Sequence, residues 1–299
     1  VSARTAPRGT VLVPAHDEEA VIGRCLRVLL ADAERGELAV LVVSNGSTDA
    51  TAARARAAGP DVRVLELDVA SKPAALRAGL AAAAPGPVVV IDADIEVPTA
   101  TVRALLDALA DDAPDGRDDD APAGADVLIA AARPRFETAR SSWAVRRYYA
   151  VWTALPYARG FTVGGSGVFA LSARGRAVLG EIPDVTNDDG WVRRAVPASG
   201  RRVVEADFTV HPTRTVGALV ARRARVVNGN RELDADLGPD TESTGLAAVL
   251  AGVRRRDYGT LDVLVFLAVT ARARAVAWWR RRRGDTRWST DHGSRAVTA

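Results

Sequence analysis

The stretch Pro87–Asp94 reads PVVVIDAD. Val88 to Ile91 are branched and apolar without interruption, so a strand built from them is apolar on both faces. Such a strand belongs in the middle of a parallel sheet covered on both sides. The run stops at two aspartates one residue apart, Asp92 and Asp94. Upstream the same pattern recurs. Thr10–Pro14 (TVLVP), Ala39–Ser44 (AVLVVS) and Val62–Glu66 are strand-like. Between the strands, apolar residues fall at helical spacing over about Glu18–Ala33, Asp49–Ala58 and Pro73–Ala84. This alternation predicts an α/β fold with a mostly parallel central sheet and helices on both faces.

Sheets of this kind take ligands at the carboxyl ends of their strands. The polar clusters stand at those ends: PAHDEE (Pro14–Glu19), SNGSTD (Ser44–Asp49) and DAD (Asp92–Asp94). Carboxylate oxygens suit a hard divalent cation that bridges the phosphates of a departing nucleoside diphosphate, whose charge grows as its bond breaks. An Asp-x-Asp triplet alone is common in loops, but its place at the end of a buried strand gives it weight. Further on, NDDGWVRR (Asn187–Arg194) sets two aspartates before a helical pattern. There they suit either the positive end of a helix dipole or general-base chemistry.

In order and spacing, over about residues 8 to 232, these clusters resemble glycosyltransferase family 2. PAHDEE matches the family's opening motif, with His16 where Asn is usual. SNGSTDAT (Ser44–Thr51) matches the second motif and SKPAALRAGL (Ser71–Leu80) a Gly-Lys-Gly-x-Ala-Leu segment. DAD matches the metal triplet, GGSGVFALS (Gly164–Ser172) the acceptor-side glycine loop, and NDDGWVRR the base motif, with Asn187 in place of Glu. The resemblance implies a GT-A fold and inverting transfer of a sugar from a nucleoside diphosphate to an acceptor hydroxyl by a hexosyltransferase-type enzyme.

It also implies residue roles. Pro14, Ala15, His16, Asp17 and Glu19 would form part of the donor site, with Glu19 nearest the ribose and base and His16 structural. Asn45 and Asp49 would complete the nucleotide pocket. UDP is the expected donor nucleotide, but Asn45 stands where many relatives carry an Asp that pairs with uracil, and its amide leaves GDP or TDP open. Lys72 would lie near the phosphates or a helix start. Asp92 and Ala93 would face the ribose or sugar, and Asp94 would hold Mg²⁺ or Mn²⁺, with Asp92 and His211 as further metal candidates. Asp188 aligns with the catalytic base and Asp189 is its rival. Gly164, Gly165, Ser166 and Trp191 would contact the acceptor, although the glycines also read as turn residues together with Gly167. Arg222 and Arg225 are diphosphate candidates, since guanidinium forks suit phosphate oxygens.

The expected division is a transferase domain over 1–232 and a basic helical extension over 233–299. Within the first, 1–110 is the nucleotide-sugar half and 126–232 the acceptor and base half. Asp111–Ala125, acidic and rich in Pro and Gly, reads as a surface loop without chemistry. Cys25 is the single cysteine, which leaves no disulfide framework and no cysteine metal site. Met is absent, and Lys72 is the only lysine among 40 basic residues, a composition typical of GC-rich, actinobacterial-type genomes. From Val253 onward eleven Arg face four Asp, so a net charge of +3 conceals a basic tail on a slightly acidic body.

Val263–Arg283 starts apolar and ends with Trp278, Trp279 and four arginines. It is too short in apolar residues to span a bilayer, and it suits either an anionic membrane surface or an ordinary packed helix. A strand begins almost at once and no signal-like segment precedes it, so a cytoplasmic protein is expected, peripheral to the membrane if the tail binds lipid. The expected acceptors are a lipid-linked glycan, a cell-wall glycan or a small aglycone, with no nucleic acid partner. Two rival functions are a sugar-phosphate nucleotidyltransferase, which needs a Gly-x-Gly-Thr-Arg loop where PAHDEE stands, and a membrane-associated scaffold with a degenerate transferase fold.

Overall fold

The computed structural model describes residues 6–110, 127–159, 167–240 and 246–283. The acidic loop, the glycines Gly164 and Gly165 and Ser166 lie outside the described residues. One eight-stranded sheet organises the chain, in the order β3-β2-β1-β4-β7-β6-β8-β5. Its strands are β1 (Gly9–Ala15), β2 (Leu38–Asn45), β3 (Val62–Leu67), β4 (Val88–Ile91), β5 (Ile95–Glu96), β6 (Ile129–Phe136), β7 (Val168–Leu171) and β8 (Arg201–Val210). β3, β2, β1 and β4 run parallel, as do β6 and β8, while β7 and β5 run antiparallel to their neighbours. The expected α/β class with a mostly parallel sheet is the one observed.

The apolar runs account for the layers. Alternate residues of β1 face opposite sides: Val11 and Val13 join a core with Ile22, Leu26 and Leu29 of α1 (Ile22–Leu30) and Val102 and Leu105 of α4 (Thr99–Ala110). Leu12 joins the opposite core with Ala75 and Leu76 of α3 (Lys72–Ala82) and Val192. α3 sits close on this face, because a Cβ on Gly79 would fall 2.2 Å from a Leu12 methyl. α2 (Thr51–Arg56) follows the second polar cluster.

A third core lies beyond the sheet. In it α5 (Trp143–Trp152) contributes Val145, Tyr148, Tyr149 and Val151. The long C-terminal helices Val216–Leu237 and Thr260–Arg282 contribute Leu219, Val220, Val263, Phe266, Val269 and Ala273. The basic C-terminal part is thus packed on the body through an apolar face. The helix Val216–Leu237 runs without a break through residue 232, where the sequence had placed a division.

α1 is shorter than its periodicity predicts, for a local reason. α1 begins at Ile22 rather than near Glu18, since Asp17 adopts a φ of 51° and its carboxylate accepts from the Thr48 amide at 2.7 Å. Asp tolerates that left-handed geometry better than most residues. α5 begins at Trp143, where the chain before it is tied to the exit of β8. There the Ser142 amide donates to the Arg214 carbonyl at 2.8 Å and the Ser141 hydroxyl to Thr213 at 3.1 Å.

Candidate active site

The carboxyl ends of β1, β2 and β4 meet at one rim, because their registers keep Ala15 beside Ser44 and Leu12 beside Val90. The first two clusters lock together there. The Glu18 amide donates to the Thr51 hydroxyl at 2.7 Å and the Glu19 amide to the Asp49 carboxylate at 3.0 Å. In return the Ala50 amide donates to Glu19 Oε2 at 3.1 Å. Burial would raise the Asp49 pKa, but hydrogen bonds from Thr51 and the Glu19 amide outweigh it and hold the carboxyl below its ordinary value. His16 Nδ1 contacts the Asn45 carbonyl at 2.8 Å. The side chains of Asp17, Glu19 and Asp49 therefore brace the two loops against one another, and Pro14, Ala15 and Asn45 are buried at the strand ends.

β7 brings a second constraint. It pairs antiparallel with β4, Ile91 beside Val168, and the Asp92 amide donates to the Gly167 carbonyl at 2.8 Å. Gly167 has a φ of +69°, and a Cβ there would lie 2.5 Å from Asp92 Oδ2. Only glycine leaves Asp92 where it is.

Lys72 joins the halves of the rim. It is the first residue of α3, whose Ser71 cap accepts from the Ala74 amide at 3.2 Å. A cation at a helix N-terminus is opposed by the dipole, and carboxylates offset this. Lys72 Nζ lies 2.9 Å from Asp92 Oδ1, 2.9 Å from Asp188 Oδ2 and 3.6 Å from Asp189 Oδ1. Burial pulls the ammonium pKa down, but Asp188, Asp189 and Asp92 together hold it well above its ordinary value.

Asp188 and Asp189 are the first residues of the helix Asp188–Ala195, and both are buried. The Asn187 side chain caps this helix by accepting from the Gly190 amide at 3.0 Å. Its amide group also donates to Asn230 Oδ1 at 2.6 Å, tying the helix start to Val216–Leu237. Ion pairs of Arg193 with Asp240 and of Arg194 with Asp234 fix the rest. Trp191 is half-buried against the core beneath.

The remaining sequence candidates fall around this rim. Asp94 makes no hydrogen bond or ion pair among the described residues, in contrast to Asp92. Arg222 lies close enough to Tyr149, Asp94, Asp92 and Asp189 for their field to overcome its burial and raise its pKa. Arg225 lies one turn further along the same helix. His211 follows β8, and its Nε2 lies 2.8 Å from Glu96 Oε1, which also pairs with Arg24 at 2.7 Å. Glu96 and Arg24 were missed from sequence. Glu96 ends the two-residue strand β5, which a turn at Ala93–Asp94 separates from β4, so no strand period in the sequence pointed to it.

Among the described residues no group of three or more His, Cys, Asp and Glu is gathered to hold a metal ion. The donor set still fits a hard divalent ion. Such ions take one or two protein carboxylates and complete their shell with substrate phosphate oxygens, and Asp94 is an uncommitted carboxylate. If the His211 Nε2 carries the proton given to Glu96, Nδ1 offers a lone pair in the arrangement metal-binding imidazoles adopt.

A family model, glycosyl transferase family 2, matches residues 10–165, just over half the chain. No curated protein matches. Among solved structures, the chain is similar to a mannosyltransferase from Pyrobaculum calidifontis in complex with GDP-Man and Mn²⁺. The identity is 22%, the TM-score 0.55, and the match covers 94% of this chain and 80% of that one. It is also similar to glucosyl-3-phosphoglycerate synthase from Mycobacterium tuberculosis in complex with Mn²⁺, UDP-Glc and phosphoglyceric acid. There the identity is 22%, the TM-score 0.53 and the coverage 82% and 84%. These likenesses show the GT-A fold. By the family model, which covers more than half of its residues, the chain belongs to glycosyl transferase family 2.

Proposed function

We propose that this protein is an inverting, metal-dependent hexosyltransferase that moves a sugar from a nucleoside diphosphate to an acceptor hydroxyl. The observation that carries this reading is the Lys72 cluster. It gathers the end of β4, expected to face the donor, and the start of Asp188–Ala195, expected to face the acceptor, around one cation. Asp188 is the base and Asp189 its rival. The chosen carboxylate takes the acceptor proton as the hydroxyl oxygen bonds to the anomeric carbon. The bond from that carbon to the diphosphate oxygen breaks on the opposite face, inverting the centre.

The braced loops at Asp17–Glu19 and Ser47–Thr51 shape the nucleoside pocket, with Asn45 at its floor. Asp94, aided by Asp92 and His211, would hold Mg²⁺ or Mn²⁺, which when bound offsets the charge of the leaving diphosphate. Arg222 and Arg225 add positive charge on the same side. The two structural neighbours hold GDP-Man and UDP-Glc, so the fold accommodates either base; UDP is the donor we expect, with GDP or TDP as alternatives. The acceptor is a lipid-linked or cell-wall glycan or a small aglycone, with Gly164, Gly165, Ser166 and Trp191 as its contacts.

The test is a thermal-shift screen of UDP, GDP and TDP with Mn²⁺, followed by donor hydrolysis. One nucleotide should stabilise the fold only with metal. Stabilisation by none of them would contradict the reading. A degenerate scaffold would keep its role when Asp94 or Asp188 is changed.

A further inference from the structure

The C-terminal helix Thr260–Arg282 has two apolar faces. Its inner face, Val263, Phe266, Val269, Ala273 and Ala277, is buried on the body. Leu261, Leu264, Leu267, Trp278 and Trp279 remain exposed, Leu264 at 63% and Trp279 at 55%. Ala268, Ala271 and Ala275 are exposed as well. At 100° per residue these side chains share an arc of about 120° running the length of the helix. Arg272 and Arg274, both exposed, flank the arc on its two sides, and Arg282 stacks over Trp278 at 4.0 Å at its end.

Charge selects the occupant. The helix carries five arginines, and its one acid, Asp262, is buried against Arg147 at 3.0 Å. This helix therefore offers no exposed acid of its own to pair with the arginines of a second copy. No helix among the described residues is long and apolar enough to cross a membrane. An exposed apolar stripe, indoles beside guanidinium groups and cationic flanks fit the boundary between headgroups and acyl chains of an anionic bilayer. We infer that Thr260–Arg282 lies flat on such a surface, Leu264 and Trp278 dipping into it while Arg272 and Arg274 meet lipid phosphates. The sequence left open which side of this helix packs inward; the third core fixes it and leaves the stripe outward.

The surface is separate from the proposed chemistry, so its test needs no turnover. The full chain is sedimented with phosphatidylcholine vesicles, with or without phosphatidylglycerol, and indole quenching by brominated lipid is read alongside. Binding to the anionic vesicles should be at least roughly tenfold stronger, with strong quenching. L264S/W278S/W279S should lose most of both while keeping the wild-type melting temperature. R272E/R274E, which leaves the apolar stripe intact, should lose the preference for anionic lipid. Absence of wild-type binding, equal binding to both vesicles, or quenching unchanged in the triple variant would overturn the inference. A concentration-dependent dimer that the triple variant abolishes would overturn it in favour of a second copy.

Discussion

Lys72 Nζ stands 2.9 Å from Asp188 Oδ2 and equally 2.9 Å from Asp92 Oδ1, so a single ammonium links two carboxylates from opposite halves of the chain. In K72A the half-buried Asp92 and the buried Asp188 would repel and separate. Breaking a buried pair costs about 3–5 kcal/mol, less here because water reaches the edge of the cluster. A displacement of about 1 Å at reacting groups costs roughly 100-fold in rate. We therefore expect K72A to lower kcat by about that factor, with K72R partly restoring the fold but not the rate. Because the folded-state pKa of Lys72 is raised, its stabilisation is fully present below the ordinary lysine value of 10.5 and is lost only as pH rises through the higher folded value. The K72A stability deficit, measured by denaturant unfolding, should thus be constant across neutral pH and shrink only in strong alkali.

Gly167 offers a second test of the same geometry. In G167A the new methyl would meet Asp92 Oδ2 and Ile95 Cδ1, and the positive φ adds about 1 kcal/mol of strain. Stability should fall by about 1–3 kcal/mol, while donor binding falls more steeply, as Asp92 is pushed from its place. Donor affinity unchanged in a folded G167A would separate Asp92 from the donor site.

A stability effect unrelated to the site comes from Glu37. Hydrogen bonds from Arg103 Nε and Nη2, at 2.6 and 2.8 Å, overcome its burial and lower its pKa from 4.5 to about 2. A depressed carboxyl pKa stabilises the fold above the unfolded value, and that stabilisation is lost as pH falls from about 4.5 toward 2. E37Q should cost about 1–2 kcal/mol near neutrality, and the difference from wild type should vanish over that acid range. Denaturant melts at several pH values would check both.

Much of this was readable in the sequence because the decisive strands are uniformly apolar. TVLVP, AVLVVS and PVVVID can hardly be anything but buried strands, and their parallel order sets the three polar clusters on one rim. What escaped reading depends on partners distant in the chain. The grip of Gly167 on Asp92 exists only because β7 pairs with β4. The contact of His211 with Glu96 needs β5 beside β8. The acids of PAHDEE suit a helix start, but their bonds to Ser47–Thr51 hold them in a loop. The third core joins α5 to helices more than sixty residues away, and no periodicity reveals which faces meet.

The most direct measurement is donor turnover with Mn²⁺, reading nucleoside diphosphate release from UDP-glucose and GDP-mannose by wild type, D94N, D188N and D189N. We expect wild type to release one of the two diphosphates. D94N should lose activity together with metal-dependent stabilisation by the nucleotide. D188N should fall by at least roughly 100-fold while still binding donor, with D189N less affected. Full activity in D94N, or equal activity in D188N and wild type, would contradict the assignment of metal and base to this rim.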